Sequence, residues 1–139
     1  MLCATELNLN AQLRSSFARS EPDIEHINAL FNEAKTLDIK LDDTSLGYVI
    51  RITLEKMAES LHADPSNLTL LGNLDTMTGL ARTLPIEVDL WKVQNIYYRL
   101  LHEVYPYLRR KAEEGDEETW AWVGRFAALG EKLKIQRDN

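Results

Sequence analysis

The chain has 139 residues, of which 45% are hydrophobic and 27% are charged, so its length and composition suit one soluble domain with its own core. Its net charge of −6 argues against nucleic acid as a partner, because a negative surface repels phosphate backbones. No apolar run is long enough to span a membrane, and polar residues interrupt the first thirteen positions, where a secretory signal would be apolar. We therefore expect a cytoplasmic protein without a membrane partner.

Apolar residues at helical spacing predict three helices in the first half of the chain. The first covers residues 2–17. The second begins after Ser20, where a capping hydroxyl is followed by Pro22 and acidic residues, a combination typical of helix N-termini. The third begins near Thr44, carries the cleanest apolar stripe in the chain and stops before Pro65.

Three further helices are predicted in the second half. The fourth covers residues 67–84 and contains Gly72 and Gly79, which favour close helix packing because glycine costs about 1 kcal/mol relative to alanine in a helix. The fifth covers residues 90–114 as one helix that is kinked at Pro106. The residues of the last helix that we expect to face inward are Trp120, Val123, Phe126, Ala127 and Leu133.

One segment recurs along the chain. Residues 34–42 read A-K-T-L-D-I-K-L-D, residues 81–89 read A-R-T-L-P-I-E-V-D, and residues 130–138 read G-E-K-L-K-I-Q-R-D. The copies begin 47 and 49 residues apart, and a period in the forties with a helical pattern on both sides is typical of helical-hairpin repeats. Each copy is interpreted as a connector between two helices, in which Asp42 or Asp89 caps the next helix.

The repeat predicts the architecture. We expect residues 1–139 to form a single all-α domain of about six helices in antiparallel hairpin repeats, with a period of about 47–49 residues, packed as a short repeat array or an irregular bundle. A shift of 47 residues places Leu7 over Leu54, and Leu54 over Leu101. The first helix therefore resembles the second member of a pair, so we interpret the chain as a fragment of a longer protein.

A side stripe on the fifth helix is the main candidate for a ligand or partner site. Its members, at alternating spacings of four and three, are Trp91, Asn95, Tyr98, His102, Tyr105 and Arg109. Aromatic rings interleaved with amide, imidazole and guanidinium groups suit stacking on, and hydrogen bonding to, a sugar or a partner protein. The alternative, which the residue types favour, is that the helix packs on two sides and the stripe forms a half-buried boundary.

Two other patterns favour a structural role. Asp23-x-x-His26 and Glu59-x-x-His62 have the spacing found in metal-binding helical bundles, but Glu59 lies outside the apolar stripe of its helix and is expected to face solvent. Gln94 lies at the edge of an apolar face and is predicted to bond the backbone of a neighbouring connector. The chain has no phosphate-binding loop or nucleophile elbow, so we predict no catalytic, metal or cofactor residue.

Residues 84–98, L-P-I-E-V-D-L-W-K-V-Q-N-I-Y-Y, resemble the helical C-terminal region of bacterial proteins classed with the family-57 glycoside hydrolases, which are α-amylase and α-mannosidase relatives. The shared feature is a proline-bearing connector that leads into a Leu-Trp-x-x-Gln-Asn helix. The similarity extends through residues 114–134 and reaches the first half only through the repeat. In that family the catalytic carboxylates lie in an N-terminal barrel, which nothing here matches, so no catalytic residue is carried over.

The resemblance implies a non-catalytic accessory domain of a family-57-like protein. Such a domain would brace the missing barrel or shape its substrate cleft, with the barrel as its partner and polysaccharide as a candidate ligand. An independent helical-repeat module that binds another protein through an exposed helix face is the alternative. A metal-binding bundle enzyme ranks third, because its carboxylate–histidine pairs are expected to be solvated.

Overall fold

A computed structural model describes residues 4–133, which fold into seven α-helices without a strand. They are α1 (Ala4–Phe17), α2 (Ile24–Thr36), α3 (Asp43–Ala63), α4 (Leu68–Thr83), α5 (Trp91–Glu103), α6 (Tyr105–Glu113) and α7 (Glu117–Leu133). The prediction of an all-α chain is confirmed. Within these residues, no helix is both long and apolar enough to cross a membrane.

Helices α1, α3 and α5, which occupy equivalent positions in the repeat, lie side by side in that order. Helix α3 packs between α1 and α5, and α4 packs against both α3 and α7. This arrangement is what a repeat array produces, because each unit buries its apolar face against the next one. The largest fully buried side chains in the core are Trp122, Phe17, Phe126, Leu13, Ile27, Leu46, Ile50, Leu54, Leu61, Leu71, Met77 and Leu100.

The first two copies of the repeated segment connect helices, as predicted. In the first connector, Asp42 is the N-cap of α3, and its Oδ1 accepts a hydrogen bond from the N–H of Ser45 at 3.2 Å. In the second, Asp89 Oδ1 accepts from the N–H of Trp91 at 3.0 Å, although Leu90 occupies the N-cap position of α5. The third copy enters the last turn of α7, and residues 134–138 lie outside the described part of the chain.

The segment predicted as one kinked helix over residues 90–114 is two helices. Helix α5 ends at Glu103, Val104 has φ −118° and ψ −42°, and α6 begins at Tyr105. Pro106 explains the break, since proline has no N–H to donate and its ring clashes with the carbonyl oxygen four residues earlier. The prediction of about six helices becomes seven for this reason.

The start of α2 and the inward face of α7 differ from expectation. Asp23, and not Ser20, is the N-cap of α2, and its Oδ1 accepts from the N–H of His26 at 3.1 Å. In α7, Trp122 is 2% exposed whereas Trp120 is 50% exposed, and Ala127 is also exposed. The buried indole of Trp122 has a partner for its N–H, since Nε1 donates to the carbonyl oxygen of Pro65 at 2.7 Å.

Asn10 holds the first connector against α1, a role that the sequence did not suggest. The side chain is 1% exposed. Its Nδ2 donates to the carbonyl oxygens of Glu6 at 2.8 Å and Lys40 at 3.2 Å, and its Oδ1 accepts from the N–H of Asp42 at 2.6 Å. The amide thus satisfies both a donor and an acceptor of the connector backbone beside the residue that caps α3.

We expect Asn10→Ala to lower the free energy of unfolding by about 1–2 kcal/mol, because it removes three hydrogen bonds of a buried side chain, two of them to partly buried backbone groups of Lys40 and Asp42. The measurement is urea denaturation followed by circular dichroism. Asn8→Ala is the matched control, since Asn8 is exposed on the same helix and its loss should change stability by less than about 0.5 kcal/mol. Equal effects of the two substitutions would contradict the assigned role of Asn10.

Gly72 and Gly79 lie where α4 packs against α7, and the close packing predicted for both glycines is seen at Gly79, whereas a Cβ on Gly72 would make only an ordinary contact. A Cβ atom on Gly79 would lie 3.1 Å from Cε of Lys132, and one on Gly72 would lie 3.7 Å from Nη2 of Arg125. Both cationic side chains cross α4 at these glycines and reach Asp75 between them. Arg125 Nε and Lys132 Nζ each lie 2.7 Å from an oxygen of the Asp75 carboxylate.

Candidate functional site

Four members of the predicted side stripe are exposed on α5, and we call them the α5 ladder: Trp91, Asn95, Tyr98 and His102. Trp91 is 69% exposed and Tyr98 is 38% exposed. The ring of Tyr98 stacks on that of His102, with the ring centroids 6.1 Å apart. The ladder runs from Trp91 to His102, twelve residues of helix, whose first and last Cα atoms lie roughly 16 Å apart along the axis. The half-buried boundary that the residue types favoured does not describe Trp91, Asn95 and His102, whereas Tyr98, at 38% exposure, lies close to it.

The other two members, Tyr105 and Arg109, lie beyond the break, on α6. Tyr105 is half-buried against Trp122 and Phe126, with ring centroids 6.4 and 5.5 Å away. Arg109 donates to Glu113 at 3.2 Å and to the Tyr105 hydroxyl at 3.2 Å, and these bonds raise the pKa of Arg109. Tyr105 thus matches the packing interpretation, and the stripe does not continue as one exposed surface past Glu103.

The inward face of α5 explains why the ladder points outward. Val93, Tyr97 and Leu100 are buried, so the residues on the opposite side of the helix face solvent. Gln94 lies between the two faces, and its Nε2 donates to the carbonyl oxygen of Leu133 at 2.8 Å. The predicted bond of the Gln94 amide to a neighbouring backbone is confirmed, but its acceptor, Leu133, is the last residue of α7 and does not lie in a connector.

An open cleft of about 540 Å³ lies at the N-terminal end of the ladder, between the second connector and the start of α5. We call it the Trp91 cleft. Leu90 is buried there, while Trp91 and three charged residues of its lining are exposed. The complete lining is Arg82, Glu87, Val88, Asp89, Leu90, Trp91 and Gln94.

The Trp91 cleft combines the groups that a sugar needs. The carboxylates of Glu87 and Asp89 are hydrogen-bond acceptors, and the guanidinium of Arg82 supplies several donors. Sugar hydroxyls both donate and accept, so such a set can bond to several of them. The exposed indole face of Trp91 adds a flat apolar platform for the C–H face of a sugar ring. The arrangement is suited to binding a sugar.

A charged seam joins α5 to α3 beside the ladder. Lys92 Nζ lies 2.6 Å from Glu59 Oε2, and Arg51 Nη1 lies 3.0 Å from Glu55 Oε2. The hydrogen bond to Glu59 is the main cause of the raised pKa of Lys92. Since a raised pKa extends the charged form of a lysine to higher pH, Lys92 stays cationic throughout the neutral range. The guanidinium group of Arg51 also lies over the ring of Tyr48, with its Cζ 5.3 Å from the ring centroid.

In the sequence, the connector residues of this cleft were predicted only to link two helices and to cap the second one. Arg82 and Glu87 were therefore missed as site residues. A signal did exist in the repeat: Glu87 replaces Lys40 of the first copy, whereas the apolar positions are kept. A change of charge sign at an exposed position in an otherwise similar connector marks a surface that differs between the units.

The carboxylate–histidine pairs make other contacts. Asp23 caps α2, Glu59 is half-exposed and bonded to Lys92, and His62 Nε2 lies 3.6 Å from Glu103 Oε1. The prediction that Glu59 faces solvent is confirmed. Across residues 4–133, the structure brings no three His, Cys, Asp or Glu side chains together in a group that could hold a metal ion.

The comparisons with known proteins add no relative. No protein-family model, curated protein or solved structure matches the chain. The likeness of residues 84–98 to family-57-like helical regions therefore stays a prediction from the sequence.

Proposed function

We propose that the chain is a non-catalytic accessory domain of a family-57-like glycoside hydrolase protein, which helps to hold or shape the site for a polysaccharide. The observation that carries the proposal is the exposed indole of Trp91 beside an open, polar cleft. The resemblance of residues 84–98 to the helical region of that family points to the same ligand class. The partner would be the catalytic barrel, in a cytoplasmic setting.

The Trp91 cleft lies at a position that suits this role. It is formed by a connector and a helix end, which the packed helices behind them hold in place. Its floor residue Leu90 is buried, and Trp91 follows directly at the first position of α5. A sugar bound there would meet a backbone surface that is already formed, while the exposed side chains of Arg82, Glu87 and Trp91 would lose rotamer freedom on binding.

The test is a titration of the protein with short α-glucan and mannan oligosaccharides, followed by heteronuclear NMR and tryptophan fluorescence. We expect saturable shifts at residues 82–98 in the millimolar range and loss of binding in Trp91→Ala, because the stacking platform is removed. Tyr98→Ala should weaken binding if the sugar extends along the ladder. Both variants should unfold within about 1 kcal/mol of the wild type, since each side chain is exposed.

Trp120→Ala is the matched control, because Trp120 is half-exposed on α7 and does not line the cleft. It should bind sugar as the wild type does. Absence of any saturable shift at millimolar sugar, or equal weakening in Trp91→Ala and Trp120→Ala, would contradict carbohydrate binding by the Trp91 cleft.

A protein-binding module is the second candidate, and the shape of the ladder favours it. Beyond the cleft, Tyr98 and His102 project from the outward face of a helix, as do the side chains by which a helix docks in a partner's groove. The genomic reading frame separates the two functions. A barrel encoded upstream in the same frame supports the accessory domain, and a stop codon before Met1 supports the independent module.

A further inference from the structure

A second cavity lies on another face of the molecule, along α3. Seven residues of α3, from Tyr48 to Ser60, line it at helical spacing. The first and the last of them lie twelve residue steps apart, or roughly 18 Å along the helix axis. Its walls are Ala18 and Ser20, which follow α1, and Leu70 and Asn73 of α4. The volume is about 330 Å³, within the range of about 300–1,000 Å³ that small-molecule sites occupy. We call it the α3 groove.

The floor of the α3 groove is aliphatic. Val49, Ile52 and Leu70 are half-buried, and Met57 is buried at its base. Covering such surface is favourable by about 25 cal/mol for each Å² of apolar area removed from water. The elongated shape and aliphatic floor suit an alkyl chain, whereas the Trp91 cleft presents the charged rim and flat ring that suit a sugar.

One positive charge lies in this groove. Lys56 is the only charged residue of its lining, it is exposed, and among residues 4–133 it forms no ion pair. Ser60 lies one turn further on the same face of α3, and Asn73 faces the groove from α4. An ammonium, a hydroxyl and an amide are donors that suit a carboxylate head group.

We propose that the α3 groove binds a linear aliphatic carboxylate, with its alkyl chain along Val49 and Ile52 and its head group at Lys56. Charge complementarity favours this ligand, since the ammonium of Lys56 would pair with its carboxylate while the aliphatic floor covers its alkyl chain. The net charge of −6 disfavours general attraction of anions, so binding depends on the local cation. This site is separate from the Trp91 cleft and does not depend on it.

The experiment is an NMR titration of the protein with dodecanoate below its micellar concentration. We expect saturable shifts confined to residues 18–20, 48–60 and 70–73. Lys56→Glu should weaken the affinity roughly five- to tenfold, because it replaces attraction of the head group by repulsion. Lys35→Glu is the matched control, since Lys35 is exposed on α2 outside the groove and should leave the affinity unchanged.

Dodecanol tests the role of the head group separately from that of the chain. It should bind more weakly than dodecanoate to the wild type, and about equally to the wild type and Lys56→Glu. Lack of a saturable shift with dodecanoate overturns the proposal. Equal affinity of dodecanoate for the wild type and Lys56→Glu, or shifts centred on residues 82–98, overturns it as well.

Discussion

Gly130→Ala should destabilise the protein by about 2 kcal/mol, although alanine is the better helix former. A Cβ atom at position 130 would lie 2.9 Å from Cζ of Tyr97 and closer still to its hydroxyl oxygen. The Tyr97 ring cannot move aside easily. It stacks on Phe126 with centroids 4.2 Å apart, and its hydroxyl donates to the carbonyl oxygen of Phe126 at 2.8 Å.

Gly124→Ala supplies a matched control within the same helix. Nothing lies within 4 Å of the Cβ that this substitution adds, so we expect it to stabilise the protein by about 0.5–1 kcal/mol through helix propensity alone. Urea denaturation measures both effects. If Gly130→Ala stabilised the protein as much as Gly124→Ala, close contact between Tyr97 and Gly130 would be ruled out.

Tyr97→Phe provides the double-mutant cycle. Alone it should cost about 1 kcal/mol, because the hydrogen bond to Phe126 is lost. In the Gly130→Ala background it should cost less or restore stability, because it removes the oxygen that the new methyl group meets first. A coupling energy of about 1 kcal/mol or more is expected between residues in contact, and additive effects would show that the two positions do not collide.

Asp75→Asn should cost about 2–3 kcal/mol, because the buried carboxylate receives charged hydrogen bonds from two cations. Asp75 has 5% of its side chain exposed, and Arg125 and Lys132 are 44% and 37% exposed. The cations can partly rehydrate after the substitution, which keeps the cost below that of a fully buried ion pair. The loss should appear in urea denaturation as a lower free energy of unfolding.

Glu113→Gln is the matched control for Asp75→Asn. The Arg109–Glu113 pair has a similar separation of 3.2 Å, but both side chains are 55% exposed, so its loss should cost less than about 0.5 kcal/mol. Burial of the carboxylate is the difference between the two pairs. Equal costs for the two substitutions would mean that Asp75 does not hold α4 to α7.

The sequence predicted local features well where one short segment decides the outcome. Asp42 caps α3 because its carboxylate reaches an N–H group three residues later in the chain. Pro106 interrupts the helix, although whether proline kinks or divides a helix depends on the packing around it. Ser20 carries a hydroxyl that could cap α2, but the helix begins at Ile24, so Asp23, which directly precedes Ile24, occupies the N-cap position.

Distant contacts decided the exposure of individual residues. Trp120 and Trp122 are two positions apart in α7, and Trp122 shares the buried face of Phe126, Leu129 and Leu133. Its N–H is satisfied inside the core only because Pro65, 57 residues earlier, supplies an acceptor. The α5 ladder is exposed because no described helix covers that side of α5, and periodicity within one helix contains no information about its neighbours.

By itself, the sequence determined the all-α fold and the first two connectors of the repeat, and it placed Trp91, Asn95, Tyr98 and His102 on one side of a helix. These follow from spacing and capping, which act within a few residues of chain. Only the tertiary structure decided that Tyr97 excludes a side chain at Gly130, that Asp75 joins two cations, and that Arg82 and Glu87 form a cleft with Trp91. Each of these depends on helices that are far apart in sequence or on the path of a connector, and packing alone brings them together.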